Sequence, residues 1–163
     1  MKITAIEPIG VSEERMQAIK KLFADQGHHF YYFTDRDTDN EILKKRIGDS
    51  EVIILTNQPL QGDVIGSAPN LKMISVAFTG VDHIDMEVCR EKGIIVSNAA
   101  GFSDQAVAEL SVGLMIDLLR KITEQDALTR KGNARIGPGR ELSGKTVGVV
   151  GTGRIGLRTA QLL

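Results

Sequence analysis

The chain is 163 residues long, 42% hydrophobic and 25% charged, enough apolar material for one complete core and part of a second. A formal net charge of −1 gives no electrostatic case for nucleic acid or an anionic membrane as partner. Cys89 is the single cysteine, so no intrachain disulfide can form, and a reducing, cytoplasmic setting is expected. The first residues lack the apolar core of a signal peptide, and no short repeat or low-complexity tract occurs. The most apolar stretch, Val107 to Leu119, is interrupted by Glu109 and Asp117 and does not read as a membrane span.

Taken in order, Lys2 to Ile6 reads as a first strand, and Pro8 and Gly10 mark a turn. Ser12 is a good N-cap, with Glu13 and Glu14 where negative charge suits the helix dipole. Met16, Ile19, Leu22 and Phe23 then recur at helical spacing, predicting an amphipathic helix to about Gln26, closed by Gly27. His28 to Phe33 reads as a second strand, Thr34 to Asn40 as a polar turn and Glu41 to Ile47 as a short helix. Glu51 to Leu55 has the continuous apolar character of a strand buried on both faces, with Thr56 to Pro59 as the loop at its carboxyl end. Asp63 to Ser67 suits another short helix, Leu71 to Val76 a strand, and Ala77 to Gly80 its exit loop. Asp85 caps a helix through Lys92, ended by Gly93, and Ile94 to Val96 is the last strand of the set. Strands and helices alternating in this way predict an α/β fold with a doubly wound parallel sheet.

After a break at Asn98 to Gly101, Ser103 can cap a long helix reaching at least Arg120. Val107, Leu110, Leu114, Met115, Leu118 and Leu119 line one broad side, and Ala106, Val112 and Ile116 extend it. Such a helix is expected to be buried almost all round, between domains or between subunits. Thr123 to Ser143 reads as the tail of that helix followed by a surface loop. A strand-like run, Thr146 to Val150, then leads into Gly151-x-Gly153-x-x-Gly156 and a helix-like run from Arg154 to Leu163. That is the context a dinucleotide-binding turn requires. Gly151 allows the tight exit, Gly153 lets a pyrophosphate approach the backbone, and Gly156 lets helix and strand pack closely. The amides of Arg154 and Ile155, at the positive end of the helix dipole, would point at the phosphates. The competing reading is a glycine-rich turn without a ligand. A domain boundary is expected at residues 98/99.

Three stretches together carry a family resemblance: Phe78-Thr-Gly-Val-Asp-His-Ile-Asp85, Asn98 to Glu109, and Gly144 to Gly156. In order and spacing the chain resembles the D-isomer-specific 2-hydroxyacid dehydrogenases. The resemblance implies a flavodoxin-like substrate domain over residues 1–98. Residues 99–163 would then be the leading helix, first strand and glycine turn of a Rossmann NAD(P)-binding domain. It implies an active site in the cleft between the two domains, NAD as cofactor with NADP open, a small 2-oxo or 2-hydroxy acid as substrate, and a homodimer. By resemblance Phe78, Thr79 and Gly80 present amides to the substrate carboxylate, and successive amides in a tight loop do form an anion nest. A plain strand-exit turn is the alternative. Asn57 and Gln58 match the loop lining the substrate pocket, although ordinary loop polarity explains them equally well. Val107 matches a position near the nicotinamide, which core packing would also explain. Asp82 and Asp85 read as turn-former and N-cap, His83 as an ordinary loop residue, and no metal site is expected. Relatives often carry a proline two residues after the asparagine matching Asn98, where this chain has Ala100, so a less rigid hinge is expected.

The resemblance further implies an arginine, a glutamate and a histidine as the catalytic set, and none can be assigned before Leu163. The acidic residue that reads the adenosine ribose is likewise not found. The chain is therefore expected to be truncated and inactive by itself, and to self-associate through the long apolar helix. Alternatives are an NAD-sensing corepressor of the same fold, a stand-alone module binding small carboxylates through Thr79 and Gly80, and a formate or phosphonate dehydrogenase.

Overall fold

The structure, a computed structural model, describes residues 1–133 and 137–163. It divides into two compact units, Met1–Ala100 and Gly101–Leu163.

The N-terminal unit is an alternation of strands and helices: β1 (Lys2–Ala5), α1 (Glu13–Asp25), β2 (His29–Tyr32), α2 (Asn40–Ile47), β3 (Val52–Leu55), α3 (Gly62–Gly66), β4 (Met73–Val76), α4 (Met86–Glu91) and β5 (Ile95–Asn98). All strand pairs are parallel, in the order β2-β1-β3-β4-β5. This is the flavodoxin-like order, with its switch point between β1 and β3. Alternation along β3 shows why the sheet must be covered twice. Ile53 and Leu55 enter a core with Leu43 and Ile47 of α2, Val64 and Ile65 of α3, and Ile74 and Val76 of β4. Val52 and Ile54 point the other way, toward Ile3, Ala5, Met16 of α1 and Phe30. The second face is covered less completely. Met73 is only half-buried, and Ile95, its register partner on the edge strand β5, is 65% exposed.

Of the predicted caps, those at Ser12 and Asp85 form, and Asp39 adds one within the stretch that reads from sequence as a polar turn. Ser12 Oγ accepts from the Arg15 amide at 3.4 Å, and Asp39 and Asp85 each accept two amides at the starts of α2 and α4. Gly62 is required sterically: a Cβ there would lie 2.6 Å from Asp85 Oδ2 and 2.8 Å from Val88 Cγ2, so α3 could not approach α4. Cys89 is buried, and that burial, followed by the nearby Asp85 charge, pushes its thiol pKa up.

The C-terminal unit departs from expectation in four ways. Its first helix, α5 (Asp104–Arg120), is not buried all round; among its residues only Ala108 is buried, while Leu110, Leu114 and Leu118 are exposed. The helix packs chiefly against α7 (Arg154–Leu162), which leaves those three leucines uncovered among the described residues. Ser103 occupies the N-cap position, but its side chain makes no capping hydrogen bond. What reads as a helix tail and loop is instead a separate helix, α6 (Ile122–Arg130), set off by Lys121 in the left-handed region at φ 55°. Asp117 fastens this turn, accepting from both the amide and the hydroxyl of Thr123 at 2.7 Å. The Thr123 hydroxyl, then its amide, hold the Asp117 pKa below the ordinary value. Residues 134–136 of the expected loop lie outside the described residues.

The fourth departure is the strand expected at Thr146 to Val150, which forms no ladder among the described residues. Half-buried Val147 and Val149 alternate with exposed Thr146, Gly148 and Val150, so the period-two pattern is present. A strand is completed by hydrogen bonds to a neighbour, and no described segment supplies them.

Candidate functional site

Two polar constructions stand out, one in each unit. At the carboxyl edge of the N-terminal sheet, β4 runs out into Ala77 to Gly80, anchored where the Ala77 amide donates to the Leu55 carbonyl at 2.7 Å. The next two carbonyls are also occupied. The Ala99 amide donates to the Phe78 carbonyl at 2.9 Å, and Asn98 Nδ2 donates to that of Thr79 at 2.7 Å. The amides of Phe78, Thr79 and Gly80 donate no hydrogen bond among the described residues. A loop whose carbonyls are tied back and whose successive amides are left unbonded is suited to an anion. Gly80 has no structural need to be glycine: its φ is not positive, and a Cβ would meet only Asp82 Oδ2, at an ordinary 3.5 Å. Its missing side chain instead leaves the loop open to a close ligand.

Beside it lies the loop after β3, where Asn57 is exposed and Gln58 is 1% exposed. The two residues grouped by sequence are thus separated by the structure. Gln58 is absorbed into a network around Glu7, which ends the β1 segment and is itself only 2% exposed. Glu7 Oε1 accepts from the Thr56 amide at 2.7 Å, the Thr56 hydroxyl at 2.9 Å and the Gln58 amide at 2.9 Å. Glu7 Oε2 lies 3.5 Å from Arg36 Nε, which also donates to Gln58 Oε1 at 3.0 Å. Arg36 Nη2 donates to the Asn57 carbonyl at 3.1 Å. A second arginine, Arg46, is buried, stacks 4.4 Å from the Phe33 ring centroid and donates to the Ile6 carbonyl at 2.9 Å. Sequence reading missed Glu7 and Arg36. The one signal was a carboxylate directly after the first strand-like run, Lys2 to Ile6, which a surface residue would match equally well.

In the C-terminal unit the glycine turn has three different glycines. Gly151 has φ +95°, a conformation that side chains rarely adopt. At Gly156 a Cβ would overlap the Gly151 carbonyl oxygen and lie 3.3 Å from Val149 Cγ1, so close packing requires glycine there. Gly153 has a negative φ of −72° and nothing within 4 Å of a Cβ position. It is the N-cap of α7, no side chain caps that helix, and the amides of Arg154 and Ile155 donate no hydrogen bond among the described residues. Uncapped amides at the start of a nine-residue helix, beside open space, fit a pyrophosphate. Arg154 is accounted for by its side chain as well: Nε donates to Asp104 Oδ2 at 2.5 Å, tying α7 to the start of α5. Val107 is 38% exposed on α5.

The remaining polar candidates are structural. Asp85 caps α4, and the His83 carbonyl accepts from the Leu60 amide at 2.8 Å. His83 Nε2 is buried without a partner among the described residues. His28 Nδ1 lies 3.4 Å from the N-terminal amine, and His29 is exposed on β2. Among the described residues no cluster of acids, histidines or cysteine could hold a metal ion, and no helix is long and apolar enough to cross a membrane.

A family model described as D-isomer specific 2-hydroxyacid dehydrogenase, catalytic domain, matches residues 3–152. Glyoxylate reductase of Thermofilum pendens is 39% identical over 136 residues, covering 79% of this chain and 40% of that protein. D-3-phosphoglycerate dehydrogenase of Methanocaldococcus jannaschii is 44% identical over 122 residues, 73% of this chain and 23% of that protein. Among solved structures, NAD-dependent formate dehydrogenase from Staphylococcus aureus in complex with NAD superposes with a TM-score of 0.84 at 30% identity. That match covers 99% of this chain and 53% of the enzyme. The chain thus spans about half or less of the length of these relatives.

Proposed function

The chain belongs to the D-isomer specific 2-hydroxyacid dehydrogenase family, and from that premise we propose that it serves an NAD(P)-dependent oxidoreductase of 2-hydroxy and 2-oxo acids. The observation that carries this reading is the loop Phe78 to Gly80, whose carbonyls are tied back and whose amides are unbonded among the described residues. Those amides hold the substrate carboxylate, and Gly80 lets it come within hydrogen-bond reach. Asn57 contributes at the margin of the same pocket. The N-terminal unit, roughly residues 1–98, is then the substrate domain, and residues 99–163 open the cofactor domain.

The turn Gly151 to Gly156 fits a dinucleotide, with Gly153 leaving room for the pyrophosphate and the Arg154 and Ile155 amides donating to it. Val107 lies on the nicotinamide side of α5 in this assignment. A bound nicotinamide would supply or accept the hydride at C2 of the acid. The accompanying proton needs an acid–base group, and no histidine of this chain is placed for that work: His28 is beside the N-terminal amine, His29 on β2 and His83 within a loop tie. We therefore assign the chain substrate and pyrophosphate binding and no proton transfer of its own.

Spectrophotometry tests this directly. The purified 163-residue chain is expected to leave NADH unoxidised with pyruvate, glyoxylate or hydroxypyruvate. Robust turnover by a homogeneous sample overturns the division of labour.

A homodimer through α5 belongs to the same reading. Leu110, Leu114 and Leu118 are 60, 53 and 80% exposed along one helix, a patch that normally marks an interface. Sedimentation at tens of micromolar should find the chain self-associated, and a monomer there counts against it.

A further inference from the structure

The crevice at the switch point of an open parallel sheet, here between β1 and β3, is where such folds usually receive a ligand. In this chain it is filled from within. The Glu7 carboxylate sits among the donors of the β3 exit loop and takes three of them on one oxygen. Two of those donors are the amides of Thr56 and Gln58, which flank Asn57 on either side. Arg36 takes the Asn57 carbonyl. The backbone around Asn57 is therefore gripped at three points. Its own amide and its side-chain carboxamide make no hydrogen bond among the described residues.

We propose that Glu7 and Arg36 are positioning residues that hold Asn57 ready to donate to an oxygen of the substrate, so that Asn57 and not Gln58 discriminates between substrates. The inference rests on the reading of Phe78 to Gly80 as the carboxylate loop. Ordering a loop residue in advance lowers the entropic penalty that binding would otherwise incur. Charge is needed for this device. A single oxygen accepting three donors is a strong acceptor when it carries negative charge, and hydrogen bonds to charged groups exceed neutral ones. The buried carboxylate in turn needs a nearby cation, which Arg36 supplies while its fork reaches both Gln58 Oε1 and the Asn57 carbonyl. Gln58 is consumed by the clamp, and the ligand it faces is Arg36. The ligand class that Asn57 fits is a small acid with an acceptor oxygen, a carbonyl or second carboxylate, one strand away from the carboxylate held by Thr79 and Gly80.

Nitrogen-15 NMR titration of the 163-residue chain with pyruvate is the test. The wild-type chain should show saturable shifts at the amides of Thr79 and Gly80 and at the amide and carboxamide of Asn57. In Glu7→Gln and Arg36→Gln the Asn57 shifts should vanish while those at Thr79 and Gly80 persist. Affinity should fall about tenfold, as for one lost hydrogen bond to the keto oxygen. Arg36→Lys, which keeps the charge without the fork, should recover part of the affinity. If Glu7→Gln fails to fold, Arg36→Lys decides, because it keeps a cation beside the buried Glu7 carboxylate while removing the fork that reaches the Asn57 carbonyl. Variants that bind like wild type with the Asn57 shifts retained overturn the inference. So does a wild-type response at Thr79 and Gly80 without one at Asn57. Absence of all wild-type shifts overturns the carboxylate-loop reading beneath it.

Discussion

The two units of this chain carry equally clear α/β sequence patterns and reach very different degrees of burial. In the N-terminal unit every strand has a hydrogen-bonded neighbour, and β1, β3 and β4 place buried residues into a packed core. In the C-terminal unit only Ala108 and Thr159 are buried among the described residues, and the strand-patterned run at Thr146 to Val150 pairs with nothing. Pattern makes a segment competent for a sheet, and neighbours decide whether it becomes one. Helices are different. α5 and α7 satisfy their backbones internally and form in the same surroundings that leave the strand unpaired.

The largest test of that contrast is a matched pair of truncations. Ile53→Ala empties a fully buried site on the central strand and should destabilise the chain by about 2–5 kcal/mol, measured by chemical denaturation. Leu114→Ala on α5 should change stability by no more than about 0.5 kcal/mol, while weakening self-association. A large loss of stability in both, measured at a dilution where the chain is monomeric, would mean that α5 is covered within the single chain. Next in size are two glycines of one turn. Gly156→Ala forces a Cβ into the Gly151 carbonyl and should lower stability by about 1–3 kcal/mol. Gly153→Ala should leave the melting temperature nearly unchanged yet abolish nucleotide binding, followed by NADH fluorescence, because its open side is where the proposed site receives the phosphates.

The smallest expected effect is titration of Asp117, whose folded pKa is held below its ordinary value of 3.8 by the Thr123 hydroxyl and amide. A depressed carboxylate contributes stability that is present above the ordinary value and lost as the pH falls through the folded one. Acidification below 3.8 should therefore loosen the α5–α6 turn, seen as movement of the Thr123 amide resonance. In Asp117→Asn the Thr123 amide should not titrate in this range.

Much of the fold was legible because its determinants are local. The caps at Ser12 and Asp85, the helical spacing from Met16 to Phe23 and the apolar run at β3 need no knowledge of distant residues. Failures came where a side-chain partner, near or far, decides. Exposure of α5 depends on what packs on it, and Lys121 adopts a left-handed conformation that its sequence does not favour, fixed by Asp117 reaching forward to Thr123. The open backbone at Phe78 to Gly80 and at the glycine turn was legible, because it follows from strand exits and glycines. It was not legible at Glu7 and Arg36, which join the β3 loop from 49 and 21 residues away. Gln58 illustrates the gap: polar in sequence, its place in the core depends entirely on those two side chains.

The edge strand β5 has one more consequence. Its residues are the least covered of the sheet, with Ile95 exposed on one face and Ser97 and Asn98 open to water. Amide protons there should exchange with solvent well before those of β1 or β3, since local opening follows the density of buried contacts. Yet β5 ends in Asn98 and runs into Ala99, the two residues that tie back the carbonyls of Thr79 and Phe78. The proposed anion loop is thus moored to the strand expected to fray first. An acid bound at that loop should slow exchange along β5, making protection of an edge strand the remote signature of a filled site.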